Sequence, residues 1–217
     1  MRNDEPTPAG IPVRPFSGRL VLIGAGAGGP QALGQILPQL PGDLPGAIVV
    51  VQHMRPGFTR VLAELLNDSC ALSVCEALDG QPLQSSRVLI APAGTELTLE
   101  YVDEESHGWF IRLNDVRGDP ERQRRVIDHA MSQAAQMFGR DAVGIVLTGM
   151  GDDGRQGMRA IVEAGGTTIA QDEESSAVPD MPSAAVAAKA AHEELPLWRI
   201  AGRIVELMTG GADAAAA

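Results

Sequence analysis

Aromatic side chains are scarce in this chain: two Trp, one Tyr and four Phe among 217 residues. That is too few for a surface on which nucleic-acid bases stack. Basic residues are also outnumbered, 17 Lys and Arg against 28 Asp and Glu, for a formal charge of −11. This balance argues against nucleic acid or an anionic membrane as the main partner. Cysteine is limited to Cys70 and Cys75, with no second pair. A disulfide framework and a zinc ribbon are therefore not expected, and two half-buried thiols in a reducing compartment are. No run of about 18 apolar residues occurs, so no membrane-spanning helix is expected. Met1 to Pro15 is rich in proline and charge and does not resemble a signal peptide, so the expectation is a cytoplasmic protein.

What is present suffices for a buried core, since 44% of the residues are hydrophobic and 21% charged. Residues 1–18 and 210–217 read as loose ends around one domain over 19–209. Arg19 to Gly24 and Ala47 to Val51 are short apolar runs, the signature of buried strands. Pro30 to Leu37 and Thr59 to Asn67 carry apolar residues at helical spacing, and Ala71 to Val74 is a weaker strand. In the middle, Arg87–Ala91, Glu96–Val102 and Trp109–Leu113 alternate around turn-like segments and predict an antiparallel hairpin excursion. Asp119 to Phe138 predicts one long helix, with Glu121 favouring its start and Gly139 its stop. Strand Ala142–Leu147, helix Arg155–Glu163, strand Thr167–Ala170 and helices Ser183–Ala191 and Leu197–Met208 complete the chain. Apolar strands alternating with helices predict an α/β fold: a doubly wound, mainly parallel sheet with helices on both faces and a hairpin insert.

Three strand ends carry polar or glycine-rich sequence: Gly24 to Gly29, Gln52-His53-Met54, and Thr148 to Gly154. In an open parallel sheet the functional crevice lies at the carboxyl ends of the strands. Gly24, Gly26 and Gly29 fit G-x-G-x-x-G, a pattern that lets a pyrophosphate approach helix N–H groups. The acid that should hold a ribose at the end of the second strand is missing, and Arg55 stands nearby instead. Glycines that merely let strand and helix pack closely are an equal reading. His53 and Asp153 suit a base and its orienter. Taken singly, each also fits a structural role, Asp153 as a helix cap. Asp152-Asp153 is a weak metal candidate with no His motif beside it, and His107, His129 and His192 read as surface or structural. The acidic run Asp103-Glu104-Glu105 reads as a solvated hairpin tip. No cofactor or metal is expected.

The ordered set Ile23-Gly24-Ala25 with Gly28-Gly29, Gln52-His53-Met54 with Pro56-Gly57-Phe58-Thr59, Ile90-Ala91-Pro92, Leu147 to Gly154, Ala170-Gln171 and Met181-Pro182 resembles the catalytic domain of CheB-type protein-glutamate methylesterases. The likeness runs from about Arg19 to Met208. It implies a doubly wound α/β fold, and hydrolysis of glutamyl methyl esters and deamidation of glutamines on chemoreceptors. It also implies a triad with His53 and Asp153, and an oxyanion or substrate loop that includes Ala27 and Met150. Implied partners are methyl-accepting chemoreceptors or related signalling proteins.

The departure from the family pattern sits at the nucleophile. The family loop typically reads Gly-Ala-Ser-Thr-Gly-Gly, and here the Ser position is Gly26 and the Thr position Ala27. The family's Arg-Pro-Ser-Val-Asp aligns with Arg124 to Asp128, losing Pro and Ser, and its Gly before Met-Pro is Asp180. The first Asp of Asp152-Asp153 more often is Asn. About 18 residues precede the first strand, so a chain without the family's receiver domain is expected. Losing Ser from such a triad costs roughly 10⁶ in kcat, with about 10³–10⁴ over water surviving from binding and oxyanion donors. The expectation is a methylesterase domain with an impaired site that serves as a receptor-binding module. Weak hydrolysis by a His53-activated water, or nucleotide binding by the Gly24–Gly29 loop, are the alternatives.

Overall fold

The structure, a computed structural model, describes residue 16, residues 18–102 and residues 108–210. The loose ends expected at 1–18 and 210–217 fall almost entirely outside these residues, as do Asp103-Glu104-Glu105 and His107.

The chain runs β1 (Leu20–Ala25), α1 (Gly29–Ile36), β2 (Ala47–Gln52), α2 (Phe58–Asn67), β3 (Ser73–Glu76) and β4 (Arg87–Ile90). It continues through β5 (Thr95–Val102), β6 (Gly108–Asp115), α3 (Pro120–Gln123), α4 (Val126–Phe138) and β7 (Ala142–Val146). It ends with α5 (Arg155–Glu163), β8 (Thr167–Gln171), α6 (Asp180–Ala187), β9 (Glu193–Leu195) and α7 (Leu197–Thr209). Seven strands form one sheet in the order β3-β4-β2-β1-β7-β8-β9, every neighbouring pair parallel.

All six residues of β1 are buried, because both faces of the sheet are covered. Successive strand residues point to opposite faces. Val21, Ile23 and Ala25 pack with Leu33 and Ile36 of α1, Leu62 of α2 and Ile200 and Ile204 of α7. Leu20 and Leu22 pack on the other side with Ile127 and Met131 of α4, Ile161 of α5 and Ala185 of α6. Each such fully buried Leu or Ile side chain is worth about 1.5–3 kcal/mol over an exposed one. The architecture is the doubly wound α/β fold expected from the alternation of strands and helices. Strand order reverses between β1 and β7, so the crevice of the sheet opens there.

Several boundaries differ from the sequence expectation. The segment at Arg87 is not part of the hairpin; β4 is a parallel strand between β3 and β2. The hairpin is β5 and β6 alone, and its apolar face (Leu97, Leu99, Ile111) packs with the core on the α4 side. The single helix expected over Asp119–Phe138 is two. Asp119 caps α3 by accepting from the N–H groups of Glu121 and Arg122 at 3.1 Å each. The backbone then leaves helical geometry at Arg125 (φ −126°, ψ 19°), where α4 starts afresh. Nothing in the local periodicity marks that break; its partners lie elsewhere in the fold. The sixth helix starts at Asp180 rather than Ser183 and ends at Ala187, before a left-handed Lys189 (φ 55°). The edge strand β9 was not legible in a sequence as polar as Glu193-Glu194-Leu195.

Candidate active site

Three strand ends build the site. His53 follows β2, and its N–H donates to Ala25 O at 2.8 Å, so the ladder between β1 and β2 holds the residue beside the end of β1. Leu147 N donates to Gly24 O at 2.9 Å and Gly26 N donates to Thr148 O at 2.9 Å, so the segment after β7 runs against the segment after β1. Gln52 Nε2 donates to Gly26 O at 2.8 Å and to His53 O at 2.9 Å, fixing both carbonyls from below. A cavity of ≈ 790 Å³ opens above them, lined among others by Gly26, Ala27, His53, Met150 and Asp153.

His53 Nε2 lies 2.7 Å from Asp153 Oδ2. Asp153 is 4% exposed. Its carboxylate also accepts from Ile127 N (3.0 Å), Asp128 N (2.9 Å) and Gly154 N (3.0 Å). Two of these donors belong to the first turn of α4, whose N–H groups have no partner inside the helix. Asp153 therefore caps α4 from another segment, satisfying donors that the helix itself leaves free. The anion in turn holds a proton on His53 Nε2, which leaves Nδ1 as the imidazole nitrogen with a free lone pair. The His53 side chain retains 31% exposure.

Asp128 does for α5 what Asp153 does for α4. Its Oδ1 accepts from Gln156 N (2.8 Å) and Gly157 N (2.9 Å) in the first turn of α5. The two helices thus cap each other crosswise. Burial pushes the Asp128 carboxyl above its usual 3.8 and the Gly157 N–H pulls it down, while the neighbouring Asp153 charge raises it further. The helices approach closely at Gly157, where a Cβ would stand 2.4 Å from Met131 Cβ.

Gly26 is tightly enclosed. A Cβ there would lie 2.9 Å from Gly149 Cα and 3.2 Å from Met181 Sδ. No Ser, Thr, Cys or Tyr is among the described residues lining the cavity. The Thr148 hydroxyl is bonded to the glycine loop, but its one proton is shared between Ala27 O (2.9 Å) and Val178 O (3.1 Å), and its Oγ1 accepts from Val178 N (2.9 Å). It is 1% exposed. Cys70 and Cys75 are free, half-buried thiols that do not line the cavity.

The glycines of the G-x-G-x-x-G pattern serve packing. A Cβ on Gly24 would meet Ile127 Cγ2 at 2.4 Å, and one on Gly29 would meet Gln52 Oε1 at 2.1 Å. Gly28 sits at φ +83°, where α1 begins. Asp152, considered for metal binding, has both oxygens engaged by guanidinium groups, with Arg125 Nη1 and Arg155 Nη2 each 2.8 Å away. Its link to Arg125 joins two positions that were singled out separately in the sequence, and no local signal could have paired residues 27 apart. Asp180 Oδ2 accepts from Gly151 N at 3.4 Å. Of the remaining histidines, His192 Nδ1 contacts Thr168 Oγ1 at 2.8 Å and His129 Nδ1 lies 3.5 Å from Glu96 Oε1, both away from the cavity. Met150 is 71% exposed on the rim.

The family model for the CheB methylesterase matches residues 21–204. A protein-glutamate methylesterase/protein-glutamine glutaminase of Moorella thermoacetica is 43% identical over 223 residues, covering 97% of this chain and 51% of the relative. One from Geobacter sulfurreducens is 42% identical over 192 residues, covering 88% and 51%. The chain thus spans about half the length of these relatives. The crystal structure of the Thermotoga maritima CheB methylesterase catalytic domain superposes with a TM-score of 0.82 at 37% identity, covering 88% of this chain and all of that one.

Proposed function

The chain belongs to the CheB methylesterase family, and from that premise we propose a chemosensory methylesterase domain with an impaired acyl-transfer site that acts as a cytoplasmic receptor-binding module. Its partners are methyl-accepting chemoreceptors or related signalling proteins, held through glutamyl ester or carboxamide side chains that it does not rapidly cleave. The observation that carries this reading is a cavity containing a His–Asp pair at 2.7 Å, with no hydroxyl or thiol side chain among the described residues that line it.

The chemistry follows from the residues. In a serine esterase the imidazole removes the hydroxyl proton as the oxygen attacks the acyl carbon, and the acid holds the ring tautomer. Here Asp153 and His53 retain the groups for holding and accepting that proton, while Gly26 offers no oxygen. Ala27 and Met150 are proposed to border the position of the developing oxyanion, with backbone N–H groups as its donors. Substrate recognition survives in this arrangement and the covalent step does not. A second reading, slow hydrolysis by a water that His53 deprotonates, is favoured by the partial exposure of the ring toward the cavity. The packing use of Gly24 and Gly29 supports the esterase-family reading over a pyrophosphate cradle.

The test is methanol release from a methylated receptor fragment, beside direct binding of the same fragment. The natural chain is expected to bind it and to turn it over at least about 10³-fold more slowly than a Ser-bearing relative. Turnover at the relative's rate would sink the impaired-site reading, and His53→Ala separates the two readings, because residual water attack depends on that imidazole.

A further inference from the structure

Resting on the binding-module reading above, we infer that Arg124 is a specificity-determining residue that takes a free side-chain carboxylate on the same polypeptide segment as the target glutamyl group. Three cationic or potentially cationic side chains line the cavity: His53, Arg124 and Arg125. His53 is held by Asp153 at 2.7 Å. Arg125 is held by Asp152 at 2.8 Å and Asp128 at 3.3 Å. Elsewhere in the same arginine-rich stretch, Arg117 is paired with Asp115 and Arg122 with Glu96. Arg124 alone among these has no carboxylate partner among the described residues, and its side chain is exposed.

Its backbone is nevertheless fixed. Arg124 N lies 3.3 Å from Pro120 O and 3.2 Å from Glu121 O at the end of α3, and the crosswise caps anchor α4 just beyond it. On that fixed backbone, a guanidinium with no partner among the described residues presents to the cavity a planar fork of donors that matches a carboxylate. The volume of ≈ 790 Å³ is in the range that encloses a drug-sized ligand (~300–1,000 Å³), so more than one side chain fits beside His53. The net charge of the chain opposes an acidic ligand and so makes a local cation necessary. At −11 it repels an acidic polypeptide at long range. A glutamate-bearing segment needs a local cation to stay, and Asp152 and Asp128 already occupy Arg125. The inferred ligand is therefore an acidic polypeptide segment with its target glutamyl group near His53 and a second, unmodified carboxylate on Arg124, since both residues line the one cavity.

The experiment uses the 217-residue chain and two synthetic peptides. Both carry a glutamyl methyl ester. One has Glu four residues to either side of it, the other Lys. Binding is read by fluorescence anisotropy for the natural chain, Arg124→Gln and Arg124→Glu, with circular dichroism confirming that each variant is folded. The natural chain is expected to favour the Glu-flanked peptide by about tenfold. Arg124→Gln should remove most of that preference, and Arg124→Glu should invert it in favour of the Lys-flanked peptide. Rescue by the opposite charge is a result that a merely structural role for Arg124 cannot give. If the natural chain binds both peptides equally, or the preference survives Arg124→Glu, this inference is wrong and the binding-module reading stands. If the natural chain binds neither peptide, both fail together.

Discussion

A glycine at position 26 leaves the imidazole of His53 with a lone pair and no hydroxyl to deprotonate. The backbone there lies outside the left-handed region, so a serine would not be strained by its φ angle. The obstacle is space: its Cβ would be 2.9 Å from Gly149 Cα and 3.2 Å from Met181 Sδ. The strand end would have to retreat by a few tenths of an ångström, and overpacking of this kind costs about 1–3 kcal/mol. Gly26→Ser combined with Ala27→Thr should therefore raise methyl release by about 10²–10⁴-fold, short of the roughly 10⁶ that a complete triad supplies. The gain should vanish when His53→Ala is added. Single-turnover methyl release checks both, and activity that persists without the imidazole would remove His53 from the role proposed for it.

Among the elements, the junction of α4 and α5 sets the site. Asp153 sits where it does because the first turn of α4 has N–H groups to satisfy, and Asp128 returns the interaction to α5. The titration of Asp128 makes this testable. Its folded carboxyl titrates above the ordinary 3.8. Such a group binds more protons folded than unfolded, so its contribution to stability is greatest at low pH and falls as pH rises from 3.8 through the raised folded value. Asp128→Asn keeps an acceptor oxygen for Gln156 N and Gly157 N but cannot ionise. The melting-temperature difference, variant minus natural chain, should climb with pH across that window and level off above it. A difference independent of pH would mean that Asp128 folds with no net penalty on its charge.

For the whole molecule, the −11 charge and the uses of the glycine loop act together. Pyrophosphates are repelled at long range, and no acid at the end of β2 awaits a ribose. Calorimetric titration with NAD, NADP or FAD should give no dissociation constant in the low micromolar range, and a constant in that range would restore the nucleotide reading of the loop. The same net charge makes acidic partners dependent on local cations, which gives Arg124, with no carboxylate partner among the described residues, its weight. Among the described residues no helix is long and apolar enough to cross a membrane.

The layered architecture is legible in the residues, because apolar runs buried on both faces and separated by helices have few ways to fold other than as a wound parallel sheet. So are the strand ends that carry unusual residues, and the missing side chain at Gly26 needs no structure to be seen. The tertiary structure decided what those residues meet. The break at Arg125 depends on Asp153, which offers α4 a new start from 25 positions away along the chain. The place of β4 beside β2 depends on parallel pairing between distant segments, to which local alternation is blind. Charge counting could list four arginines between 117 and 125. Only the fold distributed Asp115, Glu96, Asp152 and Asp128 among three of them and left Arg124 in the cavity wall without a carboxylate partner among the described residues, because ion pairs form by distance in space and not by separation in sequence.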